Sequence, residues 1–119
     1  MKYMLMFWDD DSAEVPGEVG PATLTAIRSW VDDMTARGIR LHGSALSYAT
    51  EARIVRVRDG EMLVSDGPYA ETKEQVGGYD LIECADLDTA IEVAAAHPLA
   101  STASVEVRPL SDFPGDAEV

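Results

Sequence analysis

"RIVRVRDGEMLVS", residues 53–65, decides how the rest of the chain is read. Asp59-Gly60 is a favoured two-residue hairpin turn, and with it the pairs follow by counting. Arg58 falls opposite Glu61, Val57 opposite Met62, Arg56 opposite Leu63 and Val55 opposite Val64. One face then carries Val55, Val57, Met62 and Val64. The other carries Arg56, Arg58, Glu61 and Leu63, with a charge pair beside the turn. The apolar pattern agrees with this register, so the segment is expected to be a hairpin from Arg53 to Ser65.

Working outward, the elements on both sides of the hairpin mirror each other. Upstream, Tyr3 to Trp8 is an apolar run bounded by charge, expected as a central strand covered on both faces. An Asp-rich loop with Pro16 and Gly17 follows, and Pro21 suits the first turn of a helix. Leu24, Ile27, Val31 and Met34 make its apolar face, widened by Trp30, and Arg37-Gly38 suit its end. Ile39 to Tyr48 reads as a strand with Gly43 marking a bulge. Downstream, Gly78 to Cys84 reads as a strand. Asp86 caps a helix whose stripe is Leu87, Ala90, Ile91, Ala94 and Ala95, ended by Pro98. Ser104 to Leu110 alternates as the last strand, and residues 111–119 read as a frayed acidic tail.

The order is β-α-β, hairpin, β-α-β. Without the hairpin it is the ferredoxin-like βαββαβ arrangement, an α+β fold in a single domain over residues 1–110. Two helices would cover one face of a four-stranded antiparallel sheet. The other face needs a cover or is a site, and a second subunit is the usual cover, so a homodimer is expected.

The charge narrows the partners. The chain has 119 residues and a formal net charge of −13, from 22 acids and 9 bases. That surface repels phosphate backbones, so neither nucleic acid nor an anionic membrane is an expected partner. Cys84 is the sole cysteine, which points to a reduced compartment. The apolar run at the N-terminus is too short for a signal segment, and no stretch reaches a membrane span. A soluble cytoplasmic protein is expected. The two histidines and one cysteine match no zinc spacing, and no nucleotide or phosphate fingerprint occurs, so no metal or cofactor is expected.

"DGPYAETKEQVGGY", residues 66–79, resembles the signature of the DGPF family, a branch of the YCII-related proteins. "KYMLMFW", "VRVRDGEMLVSDGP", "LIECADLDTAIEVAAAHP" and "SVEVRPL" are similar to family segments in their usual order. The resemblance implies a ferredoxin-like fold that pairs into a dimeric α/β barrel. It also implies a regulatory link to extracytoplasmic-function sigma factors, and for the wider YCII-related group a His–Asp pair in a cleft. Two departures stand out. Tyr69 replaces the usual Phe, and the first helix carries no histidine, so His42 in the next strand would have to serve.

The polar loop supplies the candidate chemistry. Asp66-Gly67-Pro68 can close a turn, Ala70 to Gln75 can form one helical turn, and Gly77-Gly78 allows close passage of another backbone. Placed over an apolar sheet face, Asp66 would be a desolvated acid or base, with His42 as its proton shuttle. Gly67, Pro68, Tyr69, Glu71, Lys73 and Glu74 would line the ligand. The plain alternatives are a turn-capping aspartate, an exposed strand histidine and a connector that packs across a dimer interface. His97 reads as a charge suited to a helix end, Cys84 as a buried inert thiol, and Trp8 and Trp30 as core or interface. Two functions stay open: a dimeric small-ligand-binding or regulatory module, and a cofactor-free enzyme using Asp66 on a small organic substrate.

Overall fold

The computed structural model describes residues 1–10, 19–67 and 74–111. Its strands are β1 (Lys2–Asp10), β2 (Arg40–Ala45), β3 (Arg53–Arg58), β4 (Glu61–Asp66), β5 (Glu74–Glu83) and β6 (Ser104–Pro109). Its helices are α1 (Pro21–Ala36) and α2 (Leu87–Ala95). Strands β2-β5-β1-β6 form one antiparallel sheet in that order, and β3-β4 form a separate hairpin. This α+β arrangement is consistent with the ferredoxin-like pattern.

The hairpin pairs in the register read from its turn, with Arg58 opposite Glu61 and Val55 opposite Val64. Asp59 and Gly60 both take positive φ, 53° and 75°, as a type I′ turn requires.

Two helices and the sheet make two layers. The core between them is Tyr3, Leu5 and Phe7 from β1, Ile82 from β5, Trp30 and Met34 from α1, and Ala90, Val93 and Ala94 from α2. The whole molecule is only 19 Å through its thinnest direction, about the depth of two packed layers. The central strand β1 is therefore covered on one face, not on both as its unbroken apolarity suggested. Met4, Met6 and Trp8 point to the other side and are half-buried.

Other expectations need correction. Strand β5 begins at Glu74, four residues before the expected start, so Glu74 and Gln75 extend along β1 and are not part of a helical turn. The bulge in β2 falls at Leu41 and not at Gly43. Gly43 is glycine for another reason: a Cβ there would run into the Asp80 carboxylate and the Tyr79 carbonyl. The stripe of α2 is turned, with Val93 buried while Leu87, Ile91 and Ala95 are exposed. Trp30 fixes that rotation by donating its indole N–H to the Val93 carbonyl at 3.1 Å. On α1, Leu24 is exposed at the rim. The Asp86 cap forms as read, its Oδ1 accepting from the Thr89 N–H at 2.8 Å.

His97 is also corrected. It is buried, its ring 4.4 Å from Phe7 and 4.7 Å from Trp30. Burial pushes its pKa down to about 4, so at neutral pH it is uncharged and cannot serve a helix dipole. Its Nδ1 accepts from the Leu99 N–H at 3.1 Å. Cys84 is half-buried, and burial raises its thiol pKa.

Among the described residues no helix is long and apolar enough to cross a membrane. The expected tail lies outside the described residues from 112 onward.

Candidate functional site

Two register shifts build the open face of the sheet. In β2 the extra residue Leu41 flips the alternation, so Arg40 pairs with Ile82 on the helix side while His42 pairs with Leu81 on the open side. In β5 the shift beside Phe7/Trp8 skips Gly77 and sets Val76 opposite Trp8. Without them, Arg40 and His42 would share a face. Bulges that re-aim a side chain are common beside active sites.

The result is an apolar floor with polar pairs at two edges. Met4, Met6, Trp8, Val76 and Leu81 form the floor. At the β2 edge, Tyr79 Oη lies 2.8 Å from His42 Nε2, with ring centroids 5.7 Å apart. With Nε2 unprotonated the phenol donates, and with the proton on Nε2 the imidazole donates. At the β6 edge, Trp8 Nε1 donates to Glu106 Oε1 at 3.2 Å, and Arg108 lies 2.5 Å from Glu106 Oε2. Three strand spacings of about 4.8 Å separate the two edges, roughly 14 Å, the span of a small organic molecule.

Beneath His42, on the helix side, Arg40 Nε donates to Asp80 Oδ1 at 2.7 Å. The Asp80 carboxyl is pushed above the usual range, chiefly by burial, against the opposing pull of Arg40 and of His42. Gly43 leaves room for the Asp80 carboxylate.

The residues expected from sequence fall apart into separate groups. Asp66 ends β4 with its side chain 91% exposed, 3.6 Å from Arg53 Nε, while His42 is paired with Tyr79. In this protomer Asp66 is solvated and is not a desolvated acid. Gly67 closes the hairpin root, donating its N–H to the Ala52 carbonyl at 2.8 Å. Pro68, Tyr69, Glu71 and Lys73 lie outside the described residues. Glu74 lies on β5 opposite Asp10, and its side chain is outside the described set. Sequence reasoning missed Tyr79, Met4, Met6 and Glu106 as site residues. Only their places within the strands β1, β5 and β6 hinted at them, and a strand by itself does not say which face stays open.

A family model described as "YCII-related domain" matches residues 1–114. An uncharacterized protein of Rhizobium meliloti (strain 1021) is 50% identical over 72 residues, which is 56% of this chain and 56% of that protein. The match thus spans little more than half the length of that relative.

Proposed function

The chain belongs to the YCII-related domain family, and from that premise we propose that it is a small-ligand-binding module whose site is the open sheet face, closed by a second copy of the chain. The observation that carries the reading is the His42–Tyr79 pair, 2.8 Å apart beside an apolar floor that the protomer leaves half covered. An apolar surface with a few fixed polar groups, enclosed by a second copy, suits a small organic molecule. The aromatic ring of Trp8 and the thioethers of Met4 and Met6 favour a flat or aromatic ligand. A regulatory role follows naturally if ligand occupancy alters how two copies close on each other.

A second reading is a cofactor-free enzyme, and the same pair favours it. A hydrogen-bonded imidazole and phenol can relay a proton to or from a bound molecule. Asp66 joins that chemistry only if another copy brings it to the face.

The test is a thermal-shift screen of small organic molecules against the wild type, His42→Ala and Tyr79→Phe. A ligand that stabilises the wild type is expected to bind His42→Ala at least about tenfold more weakly, and Tyr79→Phe several-fold more weakly, a loss of about 1 kcal/mol for one hydrogen bond. Ligands indifferent to both substitutions would place the site elsewhere. Turnover of a hit that stops in Tyr79→Phe and in His42→Ala would favour the second reading, and its loss in Asp66→Asn as well would bring Asp66 into the chemistry.

A further inference from the structure

We propose that Arg108 makes the open face a receptor for aromatic carboxylic acids, with the ligand's carboxylate on the guanidinium and its far end on the His42–Tyr79 pair. The inference rests on the reading of that face as the site, and it adds the charge class of the ligand and the direction in which it lies.

The strand registers place the groups. His42, Leu81, Met4 and Arg108 fall in one row across the sheet. Tyr79, Met6 and Glu106 fall in the next. Directly paired residues of an antiparallel sheet project to the same side, so all of these share the open face. Each row passes from a polar group at the β2 side, over a methionine of β1, to a charged group on β6.

The two charges on β6 are not equally available. Glu106 Oε1 accepts from Trp8 Nε1 at 3.2 Å, and Oε2 pairs with Arg108 at 2.5 Å, so both oxygens are engaged. A ligand cation therefore meets a carboxylate that is already paired. Arg108 is different. Its side chain is 68% exposed, and beyond that pair its N–H groups have no partner among the described residues. A guanidinium presents its donors in a planar fork that matches a carboxylate. Trp8 holds Glu106, and Glu106 holds the direction of Arg108, which makes Glu106 a positioning residue.

Charge and span both allow the acid. The net charge of −13 opposes an anion, but at physiological salt that field fades over about 8 Å, while the guanidinium acts in contact. Lys2 and Glu83, paired at the end of the face, offset each other. From β5 to β6 is two strand spacings, roughly 10 Å. A benzene ring with a carboxylate at one end and a hydroxyl at the other bridges it, lying on the Met6 thioether with its hydroxyl at Tyr79.

The test is an NMR titration of the full chain with para-hydroxybenzoate, its neutral isostere para-hydroxybenzamide, and meta-hydroxybenzoate. Arg108 is exposed, so its variants should keep the wild-type circular dichroism. Wild type should bind the para acid at least about tenfold more tightly than the amide. Arg108→Gln should bring acid and amide within about twofold of each other and leave the amide's affinity unchanged. Arg108→Lys should retain part of the preference, because it keeps the charge without the fork. Glu106→Gln keeps the cation and loosens its direction. The acid should then stay ahead of the amide while the difference between the para and meta acids shrinks. No binding of either acid at millimolar concentration, an amide that binds wild type as tightly as the acid, or a preference that survives Arg108→Gln would overturn the proposal. Para and meta acids that differ as much in Glu106→Gln as in wild type would overturn the positioning role. The site reading fails separately. If amide and acid bind equally and both are lost in His42→Ala, the site stands and the selection by charge falls. If Arg108→Gln loses the acid while His42→Ala and Tyr79→Phe bind it normally, the anchor stands and the site reading falls.

Discussion

The two faces of one sheet share their strands and meet opposite fates. Along β1, Tyr3, Leu5 and Phe7 disappear under the helices, while Met4, Met6 and Trp8, one position away each time, stay half covered. Both sets are apolar, so hydrophobicity alone does not tell a core face from a binding face. The difference lies in what stands beside them. The covered face is closed by aliphatic and aromatic side chains and one ion pair, Arg40–Asp80. The open face carries polar groups that bond one another at its edges and leave the middle free.

The sharpest way to break this comparison is to truncate one residue on each face. Leu5→Ala empties a fully buried site and is expected to cost about 3 kcal/mol in denaturant unfolding. Met6→Ala should cost about 1 kcal/mol in dilute protein and more as concentration rises, because a second copy then covers it. Equal costs at high dilution would mean that the second face is as well packed as the first.

Arg40→Met tests the ion pair under His42. It leaves the Asp80 carboxylate buried without its partner, and a loss of about 3 kcal/mol at neutral pH is expected. The same substitution should push the Asp80 pKa still higher, so that the variant recovers part of its stability in acid, measurable by unfolding across pH. A variant as stable as wild type at pH 7 would show that solvent already reaches Asp80.

His97 gives the covered face a pH signature. Its folded pKa is about 4, below the ordinary 6.5. The unfolded chain therefore takes up a proton first as pH falls, and protonation pulls the equilibrium toward unfolding. The contribution is whole above pH 6.5 and is lost on the way down to about 4, by up to roughly 3 kcal/mol. His97→Gln keeps an acceptor for the Leu99 N–H and removes the titration, so the difference between the two proteins should narrow by that amount across the window. A constant difference would show that the ring is not neutralised by burial.

The smallest effect is expected on the arm formed by the β3–β4 hairpin. Val57→Ser should change the stability of the dilute protomer by less than about 0.5 kcal/mol, since the side chain touches mainly water there. A larger loss in dilute unfolding would mean that the arm packs on its own body.

The sequence made some of this legible and hid the rest for identifiable reasons. The hairpin register could be counted from Asp59-Gly60 because a two-residue turn leaves no freedom. The unbroken apolar run of β1 announced a strand but not which of its faces the helices cover. Gly43 was misread because its need for a bare backbone comes from the Asp80 carboxylate, 37 positions away, and not from local strand geometry. Glu74 to Gly77 looked like loop because charges and glycines mask a strand edge, yet Glu74, Gln75 and Val76 pair with β1 and Gly77 is the residue skipped at the shift. His97 beside Pro98 looked like an exposed helix end because nothing local announces Phe7 and Trp30. The His42–Tyr79 pair depends on the skipped Leu41, and a single-residue register shift leaves no mark on the pattern of one strand.

The five methionines offer the most direct test of a face that one chain opens and two chains close. Met1 is 70% exposed, Met34 is in the core, Met4 and Met6 lie on the open face, and Met62 lies on the arm. Oxidation by peroxide, followed residue by residue in the mass spectrometer, reads all five at once. In concentrated protein, Met4 and Met6 should oxidise much more slowly than Met1 and Met62, and dilution should release both together. If the open-face pair reacts at the rate of Met1 whatever the concentration, the face has no cover.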